Sequence, residues 1–66
     1  MFWRVVVTRQ VKGEPDRQYT SIVGPYDTLQ AARQQRGRLV NKYERQGYVA
    51  WGHIECGLIS WERHSG

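Results

Sequence analysis

Gly24-Pro25-Tyr26-Asp27-Thr28-Leu29 is the punctuation on which this chain turns. Residues before it are strand-like, those after it follow a helical period as far as Gly47, and strand-like residues return beyond Gly47. Pro25 has no N–H to offer a sheet ladder, so the preceding strand is expected to stop at Gly24-Pro25. Asp27 is the expected helix N-cap, because its carboxylate can accept from backbone N–H groups of the first turn. Gln30 stands at the capping-box spacing from it, and Tyr26 is placed as the staple residue before the cap. Gly47 fits the position just past the helix end, where a left-handed residue closes the last turn.

At about 100° per residue, Leu29, Ala32, Leu39, Val40 and Tyr43 fall on one side of this helix. Gln34, Arg38, Asn41, Lys42 and Arg45 fall on the other. Two residues break the pattern. Arg36 projects from the middle of the apolar stripe, between Ala32 and Val40. Either its stem lies along apolar surface or stacks on a Trp, or the sheet leaves this face partly uncovered and Arg36 reaches a partner there. Gly37 costs about 1 kcal/mol relative to Ala in a helix interior. Close approach of a bulky neighbour such as a Trp is the expected reason for it.

Working outward, Phe2 to Val11 reads as a strand of aromatic and β-branched residues. Trp3, Val5, Val7 and Arg9 share one face; Phe2, Arg4, Val6 and Thr8 share the other. Apolar residues on both faces predict a central strand, or one covered on both sides. Lys12-Gly13-Glu14-Pro15-Asp16 is a polar turn cluster, and Arg17 to Val23 is the return strand of a hairpin. After the helix, Tyr48 to Arg63 is strand-like, with Val49, Trp51 and His53 alternating against Tyr48, Ala50, Gly52 and Ile54. Gly57 interrupts this run before Leu58-Ile59-Ser60-Trp61-Glu62. One long bulged strand and a hairpin turning at Glu55-Cys56-Gly57 both fit, and length favours the hairpin. His64-Ser65-Gly66 reads as a frayed tail.

The 66 residues make one domain, spanning residues 1–66. A chain this short buries only about 60% of its unfolded surface, so three Trp, four Tyr and one Phe must supply much of the packing. The single cysteine, Cys56, excludes an internal disulfide framework. Val5-Val6-Val7 is too short for the apolar core of a signal peptide or a membrane span, so the expectation is a cytoplasmic protein with no membrane partner. Ten Lys+Arg oppose six Asp+Glu, and only Lys12 and Lys42 among the ten are lysines. Arginine suits planar, bidentate contact with phosphate or carboxylate, although a net charge of +4 also serves plain solubility.

Catalysis and metal binding find little support. His53-Ile54-Glu55 matches half of a zinc-deaminase signature, but the cysteine half is absent. His53, Cys56 and His64 fall short of a four-ligand structural zinc site. Cys56 and His53, three apart, face opposite sides of a straight strand, so a thiol–imidazole pair would need a turn between them. No phosphate-binding glycine fingerprint is present. The expectation is a protein with no catalytic residue, metal or cofactor.

Two surfaces remain. Trp3, Tyr19, Trp51 and Trp61 exceed what one helix can cover. With Arg36 they form the usual anchor chemistry of a protein interface, self-association included. Exposed aromatics on a sheet also stack single-stranded bases. The alternative is a nucleic-acid contact through the basic helix face, using Arg33, Arg38, Asn41, Lys42 and Arg45.

Residues 24–33, Gly-Pro-Tyr-Asp-Thr-Leu-Gln-Ala-Ala-Arg, resemble a stretch in small proteins of actinobacterial phages, where a Gly-Pro-Tyr turn leads into a Thr-Leu-x-Ala-Ala-Arg helix. The resemblance implies an accessory factor that binds host or phage macromolecules. In architecture alone, the hairpin-then-helix order is similar to the DNA-binding domains of tyrosine integrases, which read DNA with the sheet; here additional strand follows the helix. The expected fold is α+β, an antiparallel sheet of three or four strands with one amphipathic helix on one face, ordered ββαβ or ββαββ. The expected function is non-enzymatic binding of a protein partner or of a second copy.

Overall fold

The computed structural model describes residues 1–57 and 60–64. Four antiparallel strands and one helix follow in the order β1 (Phe2–Val11), β2 (Gln18–Tyr26), α1 (Leu29–Arg45), β3 (Tyr48–Gly57) and β4 (Trp61–His64). The sheet order is β2-β1-β3-β4, so β1 is central, one of the two arrangements expected from its two-sided apolar pattern. The final segment is a hairpin, but it turns later than expected. Glu55, Cys56 and Gly57 are paired with Arg4, Trp3 and Phe2 within β3, and Gly57 pairs with Trp61 across the hairpin. Of the expected strand run from Leu58, Leu58 and Ile59 lie outside the described residues. His64 belongs to β4 opposite Ile54 rather than to a tail, and Ser65 and Gly66 lie outside the described residues.

β2 does not stop at Gly24-Pro25. It continues to Tyr26 through a bulge in which the three steps from Val23 to Tyr26 oppose the two from Val5 to Trp3. Pro25 is tolerated because β2 is an edge strand, whose outer groups need no ladder partner. Gly24 is needed there on two counts. Its φ is 133°, and a Cβ would stand 3.2 Å from Arg4 Cα, Arg4 Cβ and the Trp3 carbonyl oxygen.

Because β2 runs on, the helix starts one residue later than expected. Thr28 is the N-cap, with extended backbone, and its Oγ1 accepts from the Ala31 N–H at 3.1 Å. Asp27 and Gln30 therefore form no capping box. Tyr26 is the last residue of β2 and packs on the core cluster of Val5, Val7, Ala32 and Ile54. At the other end Gly47, at φ 94°, follows the Gln46 C-cap and its N–H donates to the Glu44 carbonyl at 3.0 Å.

The helix lies over β1 and β3 and barely touches β2. Val5, Val7, Ala32 and Ile54 are the fully buried core of the described residues. Trp3, Tyr26, Leu29, Leu39, Val40 and Tyr43 pack around them. All five helix residues expected on the inner side are in this set. Gly37 has no bulky neighbour: nothing lies within 4 Å of where its Cβ would be. The close approach occurs instead at Gly52 of β3, which sits beneath Arg36 and Val40.

Candidate functional site

Strand alternation and register divide the sheet into two faces. Toward the helix point Trp3, Val5, Val7 and Arg9 of β1 and their partners Tyr26, Val23, Ser21 and Tyr19 of β2. The other face carries no helix. Across it run rows set by pairing: Gln18, Gln10 and Val49; Thr20, Thr8 and Trp51; Ile22, Val6 and His53; Arg4, Glu55 and Arg63; Phe2, Gly57 and Trp61. The first two rows are partly knitted by side chains, with Gln18 Nε2 donating to Gln10 Oε1 at 3.2 Å and the Thr8 and Thr20 hydroxyls 3.2 Å apart. Large apolar groups remain in water on this face: Ile22 is 59% exposed, Phe2 45%, Trp51 44% and Val49 43%.

The expected aromatic set therefore splits. Trp51 and Trp61 share the open face. Trp3 packs on the core beneath the helix, and Tyr19 lies on the helix side of the uncovered edge strand. Arg36 is remote from the open face as well. Its aliphatic stem crosses Gly52 between helix and sheet, the packing role weighed above.

At the β4 end of the open face, one carboxylate organises four residues. Arg4 Nε donates to Glu55 Oε1 at 2.7 Å, and its Nη2 lies 2.7 Å from the same oxygen. His53 Nε2 is 3.1 Å from Glu55 Oε2, and the Arg4 guanidinium stands 4.4 Å from the centre of the Trp61 ring. The hydrogen bonds from His53 and Arg4, with the charge of Arg4, hold the Glu55 carboxyl below the usual glutamate range against the opposing effect of burial. Arg63 faces Glu55 across β4, so this end of the surface carries both signs of charge in close alternation. The sequence offered a hint of this cluster in the i, i+2 spacing of His53 and Glu55. Arg4 and Trp61 come from the far ends of the chain, and only the register joins them to it.

Cys56 takes no part. β3 is straight through Gly57, so Cys56 and His53 project from opposite faces. Among the described residues no group of three His, Cys, Asp or Glu is placed to hold a metal ion. Nor is any described helix long and apolar enough to cross a membrane.

On the helix side, at the far end of β1, the Arg9 guanidinium sits among three tyrosines. It lies 4.9 Å from the Tyr43 ring centre, 5.2 Å from Tyr19 and 5.4 Å from Tyr48, and its Nε is buried without a hydrogen-bond partner. Tyr43 and Tyr48 meet edge to face. The sequence put Arg9 on one face with Trp3, Val5 and Val7 but gave no sign of a cage, because its three walls come from β2, α1 and β3.

The outer helix face is built as the helical period requires. Arg38, Asn41, Lys42, Arg45 and Gln46 line a shallow depression of about 360 Å³ on the side away from the sheet. Arg33, one turn earlier, is exposed but does not line it. Compared with models of known protein families, with curated proteins and with solved structures, the chain matches none.

Proposed function

We propose that this chain is a non-enzymatic interaction module that associates with a second copy of itself through the open face of its sheet. One observation carries the reading: on the side without a helix, Phe2, Ile22, Val49 and Trp51 are each about half exposed, while among the described residues only Val5, Val7, Ala32 and Ile54 are fully buried. A domain of 66 residues has little stability to spare, and covering such a face adds roughly 1 kcal/mol for each half-exposed large side chain.

A second copy suits the chemistry of this face. Glu55 is flanked in register by Arg4 and Arg63, so each copy presents both charges and a two-fold arrangement can set unlike against unlike. Sheets packed face to face at about 10 Å would interdigitate Trp51 and Ile22 with their counterparts. Single-stranded nucleic acid is less well served. Arg4 is already committed to Glu55 and lies over Trp61, leaving fewer cations and one less open ring for a stacked, charged strand. An accessory role, as the likeness of residues 24–33 to phage proteins implies, accords with such a module.

Sedimentation velocity tests the reading. The wild type should sediment as a dimer of the 7.8 kDa chain. Trp51→Glu and Ile22→Glu should each give monomers while keeping the far-UV circular dichroism of the folded chain. A wild type that stays monomeric at its highest soluble concentration overturns self-association.

A further inference from the structure

The helix explains only part of the charge on its outer face. Lys42 and Arg45 sit in the last turn, where the helix dipole favours cations, but Arg38 lies a turn earlier and gains nothing from it. Among the described residues no ion pair engages Arg38, Lys42 or Arg45, although Arg4 and Arg17 are both paired with glutamates. No carboxylate lines the depression they share with Asn41 and Gln46. Lys42 Nζ also lies 5.9 Å from the centre of the Tyr43 ring, but no acidic side chain among the described residues balances the three cations, which stand in an exposed row about 10 Å long.

We infer that this face binds double-stranded DNA through its phosphate backbone. Three observations select that partner. A duplex presents a phosphate charge about every 1.7 Å of its axis, so a row of cations meets charge in any register, whereas an acidic peptide must match the spacing. Two of the three cations are arginines, whose planar fork meets phosphate oxygens two at a time. The lining of the depression contains no aromatic ring, so unpaired bases find no stacking surface there and the stacked duplex is the form this face fits. Asn41, between Arg38 and Lys42, is the side chain placed to reach a base edge once the helix lies along the major groove. The inference does not depend on self-association, because these residues lie on the side of α1 turned away from the sheet.

The test is fluorescence anisotropy with a labelled duplex of mixed sequence over a range of salt. Three phosphate contacts predict about 40-fold weaker binding for a fourfold rise in salt, from a slope of about −0.9 per contact. Arg38→Gln with Arg45→Gln should flatten the slope by about 1.8. Lys12→Gln with Arg17→Gln removes the same formal charge elsewhere and should leave the slope unchanged. Trp51→Glu should bind the duplex with the wild-type slope per chain. The proposal is overturned if the wild type does not bind at low salt, or if the two double variants lose affinity equally. It is also overturned if single-stranded DNA of the same length binds more tightly, or if polyglutamate of equal charge competes as well as unlabelled duplex.

Discussion

The stem of Arg36 passes directly over Gly52. A Cβ built on Gly52 stands 3.2 Å from Arg36 Cγ, 3.3 Å from the Val6 carbonyl oxygen and 3.7 Å from Val40 Cγ2. The missing side chain on β3 is the space that admits a long cationic side chain to the middle of an apolar helix face. The two anomalies, an Arg in the stripe and a Gly in the strand, thus account for each other.

Gly52→Ala is expected to cost about 1 kcal/mol, since the Arg36 stem can yield by a few tenths of an ångström while the Val6 carbonyl cannot. Gly52→Val should cost about 1–3 kcal/mol through overpacking. Pairing either change with Arg36→Ala, which empties the space, should recover part of the loss. Urea unfolding of the two Gly52 variants, Arg36→Ala, the two double variants and their parent measures this coupling, and strict additivity would contradict the contact.

Thr28 and Asp27 differ in what they do for the helix. Thr28→Ala removes the hydroxyl that accepts from Ala31 N–H and should lower stability by about 1 kcal/mol. Asp27→Ala leaves that bond in place and should change the thermal midpoint far less. A larger loss from Asp27→Ala would mean that Asp27 caps the helix after all.

Arg9 joins β2, α1 and β3 through three tyrosine rings. Arg9→Lys keeps the charge but loses the planar group that the rings enclose, and should destabilise the fold by about 1–2 kcal/mol. Quenching or shift of tyrosine fluorescence should accompany it, because Tyr19, Tyr43 and Tyr48 lose the guanidinium that lies over their rings. Unfolding by urea followed at the tyrosine signal reads both effects.

Glu55 makes stability depend on pH. Its carboxyl is held below its unfolded value, so the folded protein binds that proton less readily than the unfolded chain does. The contribution is fully present above the ordinary glutamate pKa of about 4.3 and is lost as pH falls through the lower folded value. The stability gap between wild type and Glu55→Gln should therefore narrow on acidification in that window and stay constant from there toward neutrality. A gap that widens with acid would reverse the sign and refute the assignment.

Both periodicities were legible in the residues. The helical period separates Leu29, Ala32, Leu39, Val40 and Tyr43 from Arg38, Asn41, Lys42 and Arg45, and alternation over residues 2–9 and 48–54 separates the two faces of β1 and of the first part of β3. The boundaries were less legible. The proline rule concerns a missing ladder donor, and it does not end a strand whose outer edge has no ladder. Whether β2 is an edge is a property of the assembled sheet, and so is the choice between Asp27 and Thr28 as the cap. Either residue can cap a helix; the continuation of β2 to Tyr26 decides it.

Local patterning thus determined the first hairpin, the helix and the strand run after it, with the alternation of β1 and the two sides of α1, because those depend on backbone geometry and on residues a few positions apart. Whether the final run was one strand or two stayed open. Tertiary structure decided which sheet face the helix covers, and so which tryptophans stay in water. It also brought Arg4 to Glu55 and Trp61, closed three tyrosines around Arg9, and set Arg36 over Gly52. These are contacts between residues far apart in sequence, and their partners become neighbours only when the strand register and the seat of the helix are fixed.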